Sequence, residues 1–201
     1  MSSIILHGPR MGSSIRAHWM LAELGVAYET KDVDLRAGEQ RTPEYLAMNP
    51  AGQVPTLVID GFVLAESMVI ARYLASKFRP ELNGRTLEEA AKGAQWELWT
   101  MLNLQGNFST IARQKWTGVM DPTGEAKARE VLPKQLGILD AYLGTTAYLA
   151  GEEFSTADIN AVAGMSYAGF IEYDLSAYPN IQRWMTACMA RPAYTAAKGS
   201  A

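Results

Sequence analysis

The chain has 201 residues and a formal net charge of −3, with 48% hydrophobic and 19% charged residues, which suits a folded chain able to bury a core in one large or two small domains. No basic excess or Lys/Arg run points to nucleic acid, and no apolar stretch is long enough to span a bilayer. Cys188 is the single cysteine, so no internal disulfide or CxxC redox pair is possible, and His7 and His18 lack companions in metal-ligand spacing; no metal is expected.

The N-terminus runs through residues 3–7 straight into Gly8-Pro9, without the charged and apolar regions of a secretory signal. Residues 4–6 read as a buried strand. Residues 14–24 read as a helix, with Ile15, Trp19, Met20 and Leu24 on one side and Gly25 as its stop. Residues 28–35 read as a second strand. Thr42-Pro43 is an N-cap followed by proline at the first helical position, opening a short helix through Met48. Residues 56–59 and 62–65 are two strands joined by Asp60-Gly61, a strong hairpin signal. Residues 67–78 form a helix with Ile70, Tyr73, Leu74 and Phe78 along one face.

The pattern then changes. Residues 79–85 are polar and rich in breakers, as in a linker. Beyond them the chain reads as helices only: residues 86 to about 112, 124–143, 155 to about 170, and 180–190. Ser155 followed by Asp158, ahead of an apolar run, resembles a capping box with Asp in place of Glu. The expected architecture is an α/β unit of βαβ-αββα order followed by an all-helical one.

Two motifs point to a ligand. Residues 49–57 form a turn-rich loop with Pro55 just before a strand, and Glu66-Ser67 stands at the mouth of a helix. The hydroxyl and the free N–H groups of a first helical turn attract an anion, and the helix dipole adds roughly 0.3–1 kcal/mol for a carboxylate there. An acid beside them accepts an amino group. Such a set grips the backbone and one charged end of a small peptide.

These elements in this order, with Asn49-Pro50 through Leu57, Glu66-Ser67, the 79–85 linker and Phe154 through Ile159, resemble the glutathione transferase family over nearly the whole chain. The resemblance implies a thioredoxin-like glutathione-binding domain over 1–78, a linker over 79–85, and a helical-bundle domain over 86–201 that holds a hydrophobic co-substrate. It also implies a cytoplasmic homodimer with glutathione as co-substrate and a small hydrophobic electrophile as partner. In the family the proline at Pro55 is cis, and the turn leaves the N–H and C=O of Val54 unpaired within the sheet. A peptide lying antiparallel to them completes the ladder. Ser67 would then hold the γ-glutamyl carboxylate and Glu66 its amino group. Gln40 and Gln53, with Arg41 as a neighbouring alternative, occupy positions that often bind the glycyl end; solvated loop residues are an equal reading.

Glutathione chemistry needs a thiolate. A free thiol has a pKa of about 8.5, and lowering it by two units takes about 2.7 kcal/mol of preference for the anion. A hydroxyl donor at a helix N-terminus supplies that. Here the chain departs from its apparent relatives. His7 stands where tyrosine-type members carry Tyr, Met11 and Gly12 stand where serine-type members place the serine, and the loop has no cysteine. Some bacterial members use a polar side chain near the position of Ser13. Ser13 is therefore the first candidate and Ser14 the second, with a simple helix cap as the other reading of either. Arg10 and Arg16 would add positive potential near the sulfur, although Arg16 matches a family arginine that is more often structural. Trp96, Trp99, Asn103, Asn107, Phe108 and Trp116 lie where the family lines its co-substrate pocket, but aromatics at helical spacing are more often core. Two alternatives to conjugation stand: glutathione-dependent peroxide or disulfide reduction, and a non-catalytic scaffold of the same fold.

Overall fold

The computed structural model describes residues 2–199. The chain divides into two compact units, one made of residues up to Glu81 together with those from Arg191 onward, the other of Leu82–Ala190.

The first unit is built on a four-stranded sheet in the order β2-β1-β3-β4. Strand β1 (Ile4–His7) runs parallel to β2 (Glu29–Lys31) and antiparallel to β3 (Thr56–Ile59), which pairs antiparallel with β4 (Phe62–Ala65). The β3–β4 hairpin turns on Asp60 at φ 50° and Gly61 at φ 83°, the left-handed pair that an Asp-Gly turn provides. Helix α1 (Ile15–Leu24) is closed by Gly25 in the left-handed conformation. Helix α2 (Pro43–Met48) is capped by the Thr42 hydroxyl, which accepts from the Tyr45 N–H. Helix α3 (Ser67–Phe78) packs on α1. Leu6, Leu57 and Ile59 of the sheet are buried, as are Trp19 and Met20 of α1 and Ile70 and Leu74 of α3. Truncating one such side chain to alanine costs about 2–5 kcal/mol. The second strand is shorter than residues 28–35, because Lys31 is the last residue in register with β1.

The second unit holds α4 (Leu87–Thr100), α5 (Gly106–Thr117), α6 (Pro122–Leu143), α7 (Thr156–Phe170) and α8 (Pro179–Met189). The single helix expected over residues 86–112 is instead interrupted by a π-helical turn at Met101–Gln105. Helix α7 is buried along consecutive residues from Thr156 to Met165, so neighbours surround it: α4, α5 and α8 all pack on it. Its N-terminus carries the expected acid–hydroxyl pair in a denser form. Asp158 accepts from the Ser155 N–H at 2.8 Å, the Ser155 hydroxyl at 2.8 Å, the Leu149 N–H at 2.9 Å and Trp184 Nε1 at 2.8 Å.

The expected helical domain over 86–201 needs one correction. A further helix, α9 (Pro192–Lys198), belongs to the first unit, where it packs on α1. Arg191 grips the nearly buried Glu23 of α1 with both arms of its guanidinium, Nε–Oε1 2.6 Å and Nη2–Oε2 2.8 Å, and Tyr194 lies against Trp19 with ring centroids 4.7 Å apart. Among the described residues no helix is long and apolar enough to cross a membrane.

Candidate functional site

The loop before β3 is braced from behind. Tyr45 Oη donates to the Gln53 carbonyl at 2.7 Å and lies 2.9 Å from Thr56 Oγ1. Asn49 Nδ2 donates to the same carbonyl at 2.8 Å. Burial raises the Tyr45 phenol above its ordinary pKa, so it stays a neutral donor. The Val54–Pro55 bond is cis. The Val54 N–H makes no hydrogen bond among the described residues. Its carbonyl has no partner in the sheet, but the Ser13 hydroxyl, from outside the sheet, donates to it at 2.9 Å. A carbonyl oxygen has a second lone pair, so it retains room for one more donor.

Ser13 and Ser14 close a short 3-10 turn at the start of α1. Neither hydroxyl caps the helix. Ser13 is half-buried, Ser14 is fully buried, and the Ser14 hydroxyl has no hydrogen-bond partner among the described residues. Met11 is 69% exposed. His7 ends β1 with its ring edge-on to Tyr45; burial and the nearby Lys31 push its pKa down, so it is neutral near pH 7.

Glu66 and Ser67 stand at the N-terminus of α3. Glu66 is exposed and sits at φ 69°, ψ 104°, a conformation that costs a side-chain-bearing residue about 1–3 kcal/mol and that clusters at ligand-gripping sites. Ser67 is buried, and its hydroxyl accepts from Arg16 Nη1 at 3.2 Å. The buried guanidinium and the helix N-terminus thus meet at Ser67, where an anion is favoured. Sequence reasoning left Arg16 only a general role; its partner lies 51 residues away along the chain.

Arg10 is engaged within the first unit. It donates to the Tyr28 hydroxyl and the Ala197 carbonyl, each at 3.2 Å, and to Thr30 Oγ1 at 3.3 Å. Gln40 and Arg41 lie against the 51–53 loop: Arg41 Nη1 donates to the Ala51 carbonyl at 3.3 Å, and a Cβ on Gly52 would come within 2.8 Å of the Gln40 carbonyl. The Gln40 side chain reaches the Leu35 carbonyl only at 3.4 Å, and the Gln53 side chain is exposed. No group of three or more His, Cys, Asp or Glu among the described residues is arranged to hold a metal ion.

Known proteins match this framework. The model of the glutathione S-transferase N-terminal domain covers residues 1–76, and that of the C-terminal domain covers residues 109–192. Glutathione S-transferase 3 of Zea mays is 34% identical over 96% of this chain and 92% of its own length. The chain belongs to the glutathione S-transferase family. A solved glutathione S-transferase-I bound with lactoylglutathione superimposes with a TM-score of 0.87 at 31% identity, covering 98% of each chain. Human elongation factor 1-gamma is 36% identical over 79% of this chain, which spans only 37% of that protein.

Relatives named glutathione S-transferase, matched nearly end to end, make this a transferase enzyme, and its fold is the family's thioredoxin-like unit followed by helices. The matched N-terminal transferase segment contains Ser13, Val54, Pro55, Glu66 and Ser67. The bracing pair Tyr45–Thr56 and the Arg16–Ser67 contact had no signal in the sequence pattern.

Proposed function

We propose that the protein binds glutathione along Val54 and at Glu66-Ser67 and adds its thiolate to a small hydrophobic electrophile. The observation that carries this reading is the geometry at the mouth of α3: an exposed carboxylate at φ 69° next to a buried hydroxyl that receives a guanidinium. Glu66 accepts the γ-glutamyl amino group, while Ser67 and the first-turn N–H groups hold the α-carboxylate. The unpaired Val54 N–H takes the carbonyl of the cysteinyl residue. Gln40, Gln53 and Arg41 border the glycyl end.

Ser13 is the hydroxyl that turns toward the sulfur, exchanging its bond to the Val54 carbonyl for one to the thiolate; Ser14 is too deeply buried to do so without loop movement. Affinity for glutathione tests the grip. Isothermal titration with Ser67→Ala and Glu66→Ala should show at least a tenfold loss, about 1.4 kcal/mol each; wild-type affinity in both variants removes the proposed site.

A cytoplasmic homodimer is the proposed setting. Phe62 and Val63 of β4 and Val69 of α3 are 51%, 39% and 49% exposed, an apolar face of the first unit that a second copy would cover. Sedimentation should give twice the 22.0 kDa chain mass, and Phe62→Glu should give the monomer.

The second reading is a non-catalytic scaffold. Met11 in place of a serine, the prior engagement of the Ser13 hydroxyl, and the similarity to elongation factor 1-gamma favour it. An unshifted thiol pKa in bound glutathione would decide for the scaffold.

A further inference from the structure

His18 belongs to neither motif and lies fully buried on α1. Its Nε2 is 3.2 Å from the Gly8 carbonyl and its Nδ1 is 2.9 Å from the Tyr28 hydroxyl. A carbonyl only accepts, so Nε2 carries the ring proton and Nδ1 accepts from Tyr28. Burial pushes the His18 pKa down and keeps this neutral form. Arg10 in turn donates to the Tyr28 hydroxyl.

Gly8 is held at both of its polar groups, since its N–H donates to the Lys31 carbonyl at 2.9 Å. It sits at φ +144°, where only glycine is at ease. It also has no clearance: a Cβ there would lie 2.7 Å from Ser14 Oγ and 3.3 Å from Val54 Cβ. Gly8 is therefore the spacer between the serine turn and the Val54 loop, the two segments that the Ser13–Val54 hydrogen bond joins.

We infer that His18 is a positioning residue for thiol activation: its bond to the Gly8 carbonyl sets the distance between the Ser13 turn and Val54. The inference rests on the function proposed above for how a misplaced Ser13 would be felt, but its structural half stands apart from glutathione. A side chain that fills the space but cannot donate to Gly8 should loosen the loop and leave the Glu66-Ser67 grip intact. Glutamine, whose Nε2–H2 group can donate to the same carbonyl, should restore it.

The test uses the full-length protein with His18→Phe, His18→Gln and His18→Leu. Amide hydrogen exchange is followed across residues 9–14 without ligand. The absorbance of bound glutathione thiolate is titrated, and glutathione affinity is measured separately. We expect faster exchange over residues 9–14 in His18→Phe and a thiol pKa raised by about one unit, a tenfold lower thiolate fraction below that pKa. Glutathione affinity should stay within about threefold, and His18→Gln should return both readouts toward wild type. Wild-type exchange and thiol pKa in a folded His18→Phe overturn the inference. Should His18→Phe not fold, His18→Leu, which likewise cannot donate to the Gly8 carbonyl, is read by the same criteria. Failure of the wild-type protein to bind glutathione overturns the proposed function instead, and the exchange experiment still decides the place of His18.

Discussion

Ser13 Oγ donates to the carbonyl of Val54 at 2.9 Å, joining two loops that lie 41 residues apart in the chain. The hydroxyl proposed to act on a thiol is thus already bonded to the segment on which the thiol's own backbone would rest. Under the proposed function, activation by Ser13 would be an exchange of acceptors rather than the recruitment of a free hydroxyl.

Ser13→Ala and Ser14→Ala should separate on this ground. Loss of the Ser13 hydroxyl removes one hydrogen bond and should cost about 0.5–1.5 kcal/mol of stability. Its catalytic effect should be larger, roughly tenfold to a hundredfold in kcat, with the thiol pKa moving toward about 8.5. The buried Ser14 hydroxyl has no partner among the described residues, so Ser14→Ala should be neutral or raise Tm. Thermal unfolding and a pH–rate profile of both variants check this; equal kinetic losses would reject Ser13 as the specific group.

Arg191→Met should destabilise the first unit. Glu23 is only 5% exposed at its side chain, and Arg191 supplies two of its bonds, with Arg79 a more distant 3.8 Å away. Leaving that carboxylate with weaker compensation should cost about 1–3 kcal/mol, visible in the urea midpoint. Arg191→Lys should recover only part, because an ammonium cannot span both oxygens.

Asp158→Asn should be more severe. The carboxylate accepts four hydrogen bonds on two oxygens, and an amide nitrogen in place of either oxygen turns an acceptor into a donor facing an N–H. A loss of about 2–4 kcal/mol is expected in chemical denaturation. Burial nevertheless raises the pKa of this group above the usual carboxylate value, outweighing the four donors. Its ionisation therefore opposes stability as pH rises from 3.8 through the folded pKa, and Asp158→Asn should remove that slope.

Stability should also respond to pH through the histidines, with the opposite sign. His7 and His18 both have folded pKa values lowered from 6.5. The unfolded chain then binds protons that the folded one refuses, so their contribution is complete above 6.5 and is lost as pH falls through the folded values. Urea midpoints taken downward from neutral pH should fall in wild type and fall less in His18→Gln. A midpoint independent of pH across that range would contradict the burial of a neutral His18.

What could be foreseen was local. Asp60-Gly61, Thr42-Pro43 and Ser155 with Asp158 act within a few residues of themselves, and each made the turn or cap its side chain favours. The π-helical turn at Met101–Gln105 escaped notice because an apolar pattern continues through it. Helix α9 escaped because seven residues rich in alanine carry little periodic signal; Trp19 and Glu23 of α1 anchor it.

By itself the sequence determined the fold class of an α/β part followed by helices, the order of the strands and of most helices, and the stretches from which a glutathione-type site would be drawn. These follow from periodicity, turn chemistry and the likeness of Asn49 to Leu57 and Glu66-Ser67 to a known family. Only the tertiary structure decided which groups meet: Ser13 with Val54, Arg16 with Ser67, His18 with Gly8, Arg10 with Ala197. The reason is physical. A buried donor takes whatever acceptor the packing brings to it, and among these pairs that acceptor lies from 10 to 187 residues away.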